Sequence, residues 1–139
     1  MPGRPKSTAD EVRVSIARDP ALVRTVRLVA AAVARRAGRD EEFVEEVRLA
    51  VGEACALMVG DGSSGRIGSD DAVTVAMALD EQLQVDVVAT GPGNEPPGNV
   101  VLADVNGIEP WALLRALIDD VKVVHNGATT MVSMAWPVG

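Results

Sequence analysis

The chain is poor in the residues that most familiar active sites require. Its 139 residues hold one cysteine, Cys55, and one histidine, His125. A lone cysteine excludes an intramolecular disulfide and a cysteine-based zinc site, and a lone histidine excludes a histidine cluster. A Ser-His-Asp or Cys-His catalyst would have to use that single His. Large aromatics are also scarce: there is no tyrosine, and only Phe43, Trp111 and Trp136 are present. The core must therefore be built from Val, Ala, Leu, Ile and Met. No apolar run approaches the ~18 residues of a membrane-spanning helix. Residues 1–10 are polar, hold Pro2, Gly3 and Pro5, and lack the apolar stretch of a signal peptide. The expectation is a cytoplasmic protein with a flexible tail over 1–10 and a single domain over 11–139.

What is present suffices for a folded core. Apolar residues make up 47% and charged residues 24%, which is not a disordered composition. The net charge of −7 is unevenly spread. Residues 1–39 carry nine basic and three acidic side chains, whereas residues 40–139 carry four basic and seventeen acidic. The acidic bulk argues against non-specific nucleic-acid binding. The basic first segment suits recognition of an acidic protein surface, or is simply a solvated helix face.

Periodicity orders the chain. Val12, Val14 and Ile16 alternate with polar or small residues, as in a half-buried strand. Asp19-Pro20 starts a helix, with Asp as cap and Pro in the first turn, and Gly38 ends it. Asp40 caps a second helix, with Glu41 and Glu42 in its first turn. Its buried stripe runs through Phe43, Val47, Ala50, Val51, Ala54 and Met58, with Leu57 near the middle and Glu53 on the border. Residues 60–68 read as a flexible connection. Two strands follow, over 73–79 and 83–87, turned at Asp80-Glu81. A long Gly/Pro-rich loop spans 90–109, a length that is uncommon and often functional. A short helix over 110–120 follows, and a last hairpin turns at Asn126-Gly127. The order β-α-α-β-β-loop-α-β-β predicts an α/β (α+β) two-layer sandwich, a mostly antiparallel sheet with helices on one face.

Few residues could carry chemistry. Glu53 suits a half-buried general base, or a surface carboxylate paired with an Arg. Gly91-Pro92-Gly93 after a strand could let a backbone approach a phosphate, or form a plain turn; it fits neither generic phosphate motif. Cys55 reads as a small buried hydrophobe, His125 as a hairpin residue, and Trp111 as core or as a partner anchor beside the loop. No metal site is expected.

Three collinear segments resemble one family. Val47-Arg48-Leu49-Ala50-Val51-Gly52-Glu53-Ala54-Cys55-Ala56 resembles the first ATP-site helix of the GHKL (Bergerat-fold) ATPases, in their anti-sigma-factor, serine protein kinase-like branch. Val87-Val88-Ala89-Thr90-Gly91-Pro92-Gly93 resembles the family's glycine box. The run from Leu113 to Val121, followed by Gly127 to Val132, resembles its last helix and hairpin. The likeness covers roughly residues 11 to 137.

The resemblance also implies losses. The family helix carries a Glu that activates the protein-serine hydroxyl and, four residues later, an Asn that holds Mg²⁺. Here the Glu is Glu53 but the Asn position is Leu57, which has no oxygen for a hard cation. The family Asp that reads the adenine amine, two residues before the first glycine, is replaced by Ala89. That leaves the amine unpaired, a loss of roughly 1–3 kcal/mol. The second glycine box reads Gly107-Ile108-Glu109-Pro110-Trp111; Pro110 has no N–H to offer a phosphate, and Glu109 would repel one.

The resemblance therefore implies a kinase-dead anti-sigma factor without cofactor. It would sequester an RNA polymerase sigma factor by direct protein binding and be released by a STAS-type anti-anti-sigma factor. A homodimer is expected, with no direct nucleic-acid or membrane partner. Arg24 matches the family Arg that contacts both partners, and Arg27 lies beside it. The alternative is an active ATP- and Mg-dependent serine kinase that phosphorylates a STAS-domain antagonist, using Glu53, Gly91, Gly93 and Thr130. A third reading places another small ligand in a cleft lined by Leu57 and Ala89.

Overall fold

A computed structural model describes residues 11–59, 72–90, 118, 120–126 and 129–138. The first strand, β1 (Glu11–Ala17), leads into a 3-10 turn over Pro20–Leu22. The Asp19 side chain accepts a hydrogen bond from the Ala21 N–H at 3.0 Å, the cap that Asp-Pro predicts, although it caps the 3-10 turn rather than the helix itself. Helix α1 (Val23–Arg35) continues from this turn. Gly38 follows with φ +77°, the left-handed conformation that ends helices and that glycine adopts without strain. Asp40 then caps α2 (Glu41–Val59) through the Phe43 N–H at 3.0 Å.

Strands β2 (Ala72–Leu79), β3 (Gln82–Thr90), β4 (Val121–Asn126) and β5 (Thr129–Pro137) complete a five-stranded sheet. Its order is β1-β2-β3-β5-β4, and every neighbouring pair is antiparallel. The two-layer sandwich expected from the sequence is the fold observed. Gly60 to Gly68, the long 91–109 loop with Gly91 and Gly93, most of the 110–120 helix with Trp111, and Gly127 lie outside the described residues. Of that expected helix only Ile118, buried, and Asp120, exposed, are described, and neither is helical, so no helix reaches Asp120 as the sequence suggested.

One sheet face packs on the helices. Val73, Val75 and Met77 of β2, Leu83, Val85 and Val87 of β3, and Val132 and Met134 of β5 are buried with Val26, Ala30, Val47, Ala50, Val51 and Ala54. Small and β-branched residues dominate this core, as the shortage of aromatics requires. The stripe of α2 is centred on Val47, Val51, Ala54 and Met58. Leu57 lies about 100° from that line on the helical wheel. It is half-buried at the rim of the core, not near the middle of the stripe as the sequence suggested.

Contacts at both ends fix α2 over the sheet. At its start the Trp136 indole N–H donates to the Glu46 carboxylate at 2.9 Å. Beside it Arg39 stacks on the Phe43 ring, 4.3 Å from the centroid, and donates to the Pro137 carbonyl at 2.8 Å. At its finish the guanidinium of Arg18, fully buried just after β1, donates to the Met58 carbonyl.

Candidate functional site

The strand register brings the candidate residues of the family site to one end of the sheet. Ala17 pairs with Ala72, Val73 with Ala89, and Ala89 with Thr130. The Arg18 bond to Met58 sets the last turn of α2 over that same end. Glu53 and Leu57, one turn apart in the second half of α2, share it. They lie on the flank of α2 that also carries Glu46, the flank turned to β5. Ala89 and Thr130 are thus neighbours on the sheet, with Glu53 and Leu57 in the second half of the helix above it.

The chemistry at these four positions is mixed. Glu53 is half-buried, and it forms no ion pair or hydrogen bond among the described residues, so the paired-surface reading of it finds no partner there. Thr130 is 3% exposed and Ala89 1% exposed. Leu57 packs its hydrocarbon against the core rim. A magnesium ion requires oxygen ligands, and Leu57 supplies none. An adenine amine needs an acceptor, and a buried methyl at Ala89 is not one. At these two positions the residues present do not fit Mg-ATP as the family holds it.

The opposite flank of α2 faces α1. Gly52, Cys55 and Val59 lie on it, all buried. The side chain of Arg27 lies across Gly52. A Cβ there would come within 2.8 Å of Arg27 Cγ and 3.0 Å of Cδ, and closer still to Nε. Gly52 is therefore where the chain of Arg27 makes its close approach to α2. Arg24, one turn earlier on α1, is exposed. Neither Gly52 nor the seat of Arg27 is legible from spacing, because a mid-helix glycine carries no mark of what crosses it.

Cys55 has a basic neighbour in space that the local sequence hides. Burial pushes its thiol up from 9.0 to about 11, and the nearby Arg27 charge offsets only part of this. Burial dominates, so the thiol stays protonated and inert at neutral pH. In the unfolded chain it ionises near its ordinary value. Between about pH 9 and 11 the unfolded state therefore holds fewer protons, and stability falls as pH rises through that window. Two measurements check this. Native protein at pH 8 should react with a thiol-specific chromogenic reagent only as fast as it unfolds. The Cys55→Ala variant should lose less stability between pH 9 and 11 than the parent.

A five-stranded antiparallel sheet under two helices, with a half-buried carboxylate on the second helix, is the architecture of the histidine kinase-like ATPase domains. The chain belongs to the histidine kinase-like ATPase domain family, whose pattern matches residues 16–136. It is similar to the serine-protein kinase RsbW of Bacillus pumilus (strain SAFR-032), with 27% identity over 136 residues, covering 89% of this chain and 84% of that protein. The RsbU and RsbW domains of Rv1364c from Mycobacterium tuberculosis share the fold, with a TM-score of 0.67 at 19% identity. That superposition covers 91% of this chain but only 31% of the solved one. No helix among the described residues is long and apolar enough to cross a membrane.

Proposed function

We propose that this domain is an anti-sigma factor that sequesters an RNA polymerase sigma factor by direct binding and has lost kinase activity. A STAS-type anti-anti-sigma factor would displace the sigma factor from an overlapping surface. The observation that carries the reading is the hydrocarbon at both ligand positions, Leu57 on the rim of the core and Ala89 buried at the end of β3. The similarity to RsbW supports the kind of partner. Arg24, exposed on α1, and Arg27 beside it are the residues assigned to the partner. A homodimer belongs to the same reading. The sheet face away from the helices carries Ala76, Ala78, Val88 and Met131, which a second copy would cover.

A second reading rests on Glu53. It is half-buried, has no ion pair among the described residues, and stands where a kinase of this family places its base. An active kinase would have to hold Mg-ATP with other ligands.

Calorimetric titration with Mg-ATP and Mg-ADP separates the two. The expected result is no heat and no shift in thermal midpoint at millimolar nucleotide, with a sigma factor retained on the immobilised wild type and lost with Arg24→Glu. Micromolar nucleotide binding, together with phosphate transfer to a STAS domain that Glu53→Ala abolishes, would reverse the assignment.

A further inference from the structure

The two large aromatic rings among the described residues, Phe43 and Trp136, line the same surface pocket. Its volume is about 450 Å³, within the range of small-molecule sites. Arg39, Glu46, Gln82 and Asp120 are its polar lining residues. Gln82 and Ala89 stand at the two ends of β3, about 23 Å apart, so the pocket lies at the end of the sheet away from Ala89 and Thr130. Both aromatic residues are buried, which gives the pocket a fixed apolar floor. Two opposite charges are held beside that floor. The Arg39 guanidinium stacks on Phe43 and donates to the Pro137 carbonyl, which engages one of its N–H groups and leaves the others. The Glu46 carboxylate takes the Trp136 N–H on Oε2, and its Oε1 has no partner among the described residues. Arg39 and Glu46 make no ion pair with each other, because each is held by a different group at the end of β5.

We propose that this pocket binds a short zwitterionic peptide, with its carboxylate on Arg39, its ammonium on Glu46 and an apolar side chain against Phe43 and Trp136. A simple anion would meet Arg39 but be repelled by Glu46 and Asp120. A simple cation would meet the carboxylates but be repelled by Arg39. A ligand that carries both charges satisfies both anchors. The spacing sets its size. Arg39 and Glu46 are too far apart to pair directly, whereas a single α-amino acid carries both charges on one carbon. The termini of an extended dipeptide lie about 7 Å apart, which suits two anchors that do not touch. Arg39 is also prepared for the task. Stacking and the Pro137 bond already restrict its side chain, so less rotamer freedom is lost when the guanidinium fork donates to a carboxylate. The bound peptide would bridge the start of α2 and the end of β5 and so stabilise the fold. The pocket involves neither α1 nor the nucleotide end, so its ligand is independent of the partners proposed above.

The test uses the full chain with Trp111→Phe, which leaves Trp136 as its one tryptophan. Titration with leucyl-leucine should change the Trp136 fluorescence saturably, with a dissociation constant on the order of 0.1–1 mM for a ligand of this size, and should raise the thermal midpoint. Calorimetric titration of the unmodified chain should give the same affinity and does not depend on the Trp111 substitution. The N-acetyl and C-terminal amide forms of the dipeptide each lack one charge and should bind about tenfold more weakly. Two variants then assign the anchors. Glu46→Gln keeps a carbonyl oxygen for the Trp136 N–H but removes the charge. It should weaken leucyl-leucine about tenfold and leave the affinity for the N-acetyl form undiminished. Arg39→Gln should weaken leucyl-leucine likewise and leave the affinity for the amide form undiminished. A merely structural role for either residue would weaken all three ligands alike. That result, equal affinity for the three ligands, or no saturable signal from leucyl-leucine in either titration overturns the proposal.

Discussion

Arg18→Ala is expected to lower the unfolding free energy by roughly 3–5 kcal/mol, a loss that combines the cavity with a carbonyl left without its donor. Arg18 is fully buried and its guanidinium donates to the Met58 carbonyl in the last turn of α2. The last four carbonyls of a helix lack partners within it. A cation at that end is also favoured by the helix dipole. The interaction spans forty positions of sequence and fixes the end of α2 that carries Glu53 and Leu57. Arg18→Met keeps most of the volume and removes a buried charge, so it should cost less than the alanine variant. Urea unfolding monitored by circular dichroism reads both. A change of less than about 1 kcal/mol for Arg18→Ala would remove Arg18 as the clasp between β1 and α2.

The second large effect is expected at the other end of α2. Trp136→Ala should cost roughly 3–5 kcal/mol, the range for deleting a buried large aromatic. Trp136 is buried on β5, and its N–H reaches Glu46 across the layer boundary. Trp136→Phe separates the two contributions. It keeps most of the apolar contact but leaves the Glu46 carboxylate without this donor. Because Glu46 is half-buried and water can replace the N–H, that variant should lose only about 1 kcal/mol. If Trp136→Phe costs as much as Trp136→Ala, the hydrogen bond rather than the packing holds α2 to β5. Either loss should also loosen a surface pocket, separate from Glu53 and Ala89, that Arg39, Phe43 and Gln82 line together with Trp136.

The site residues were legible to different degrees. Glu53, Leu57 and Ala89 were named because three short motifs are collinear with a family pattern; the register pairs Ala89 with Val73 and Thr130. Arg24 followed from the same resemblance, and it is exposed on α1. Arg27 was named from its position beside Arg24, but nothing in the sequence shows that it lies across Gly52. Leu57 was misplaced on the helical wheel. The spacing of 3.6 residues per turn already sets Leu57 about 100° from Met58, so its place at the rim was available from periodicity and was misjudged. The stripe residues themselves, Phe43, Val47, Ala50, Val51, Ala54 and Met58, are buried as the spacing predicts.

The sequence by itself determined the local elements. Alternation made β1, β2 and β3, and the short Asp80-Glu81 connection paired β2 with β3. Asp19, Asp40 and Gly38 set the helix ends through hydrogen bonds that reach only two or three residues, or through a conformation open to glycine. Such interactions are local, so they are written in adjacent residues. Only the tertiary structure decided the fates of Arg18, Gly52, Cys55 and Trp136. Each depends on a group brought in from a distant part of the chain: the end of α2 for Arg18, the side chain of Arg27 for Gly52 and Cys55, and Glu46 for Trp136. An arginine followed by Asp-Pro reads as a surface turn until a helix end closes over it, because burial belongs to the packed layers and not to the residue.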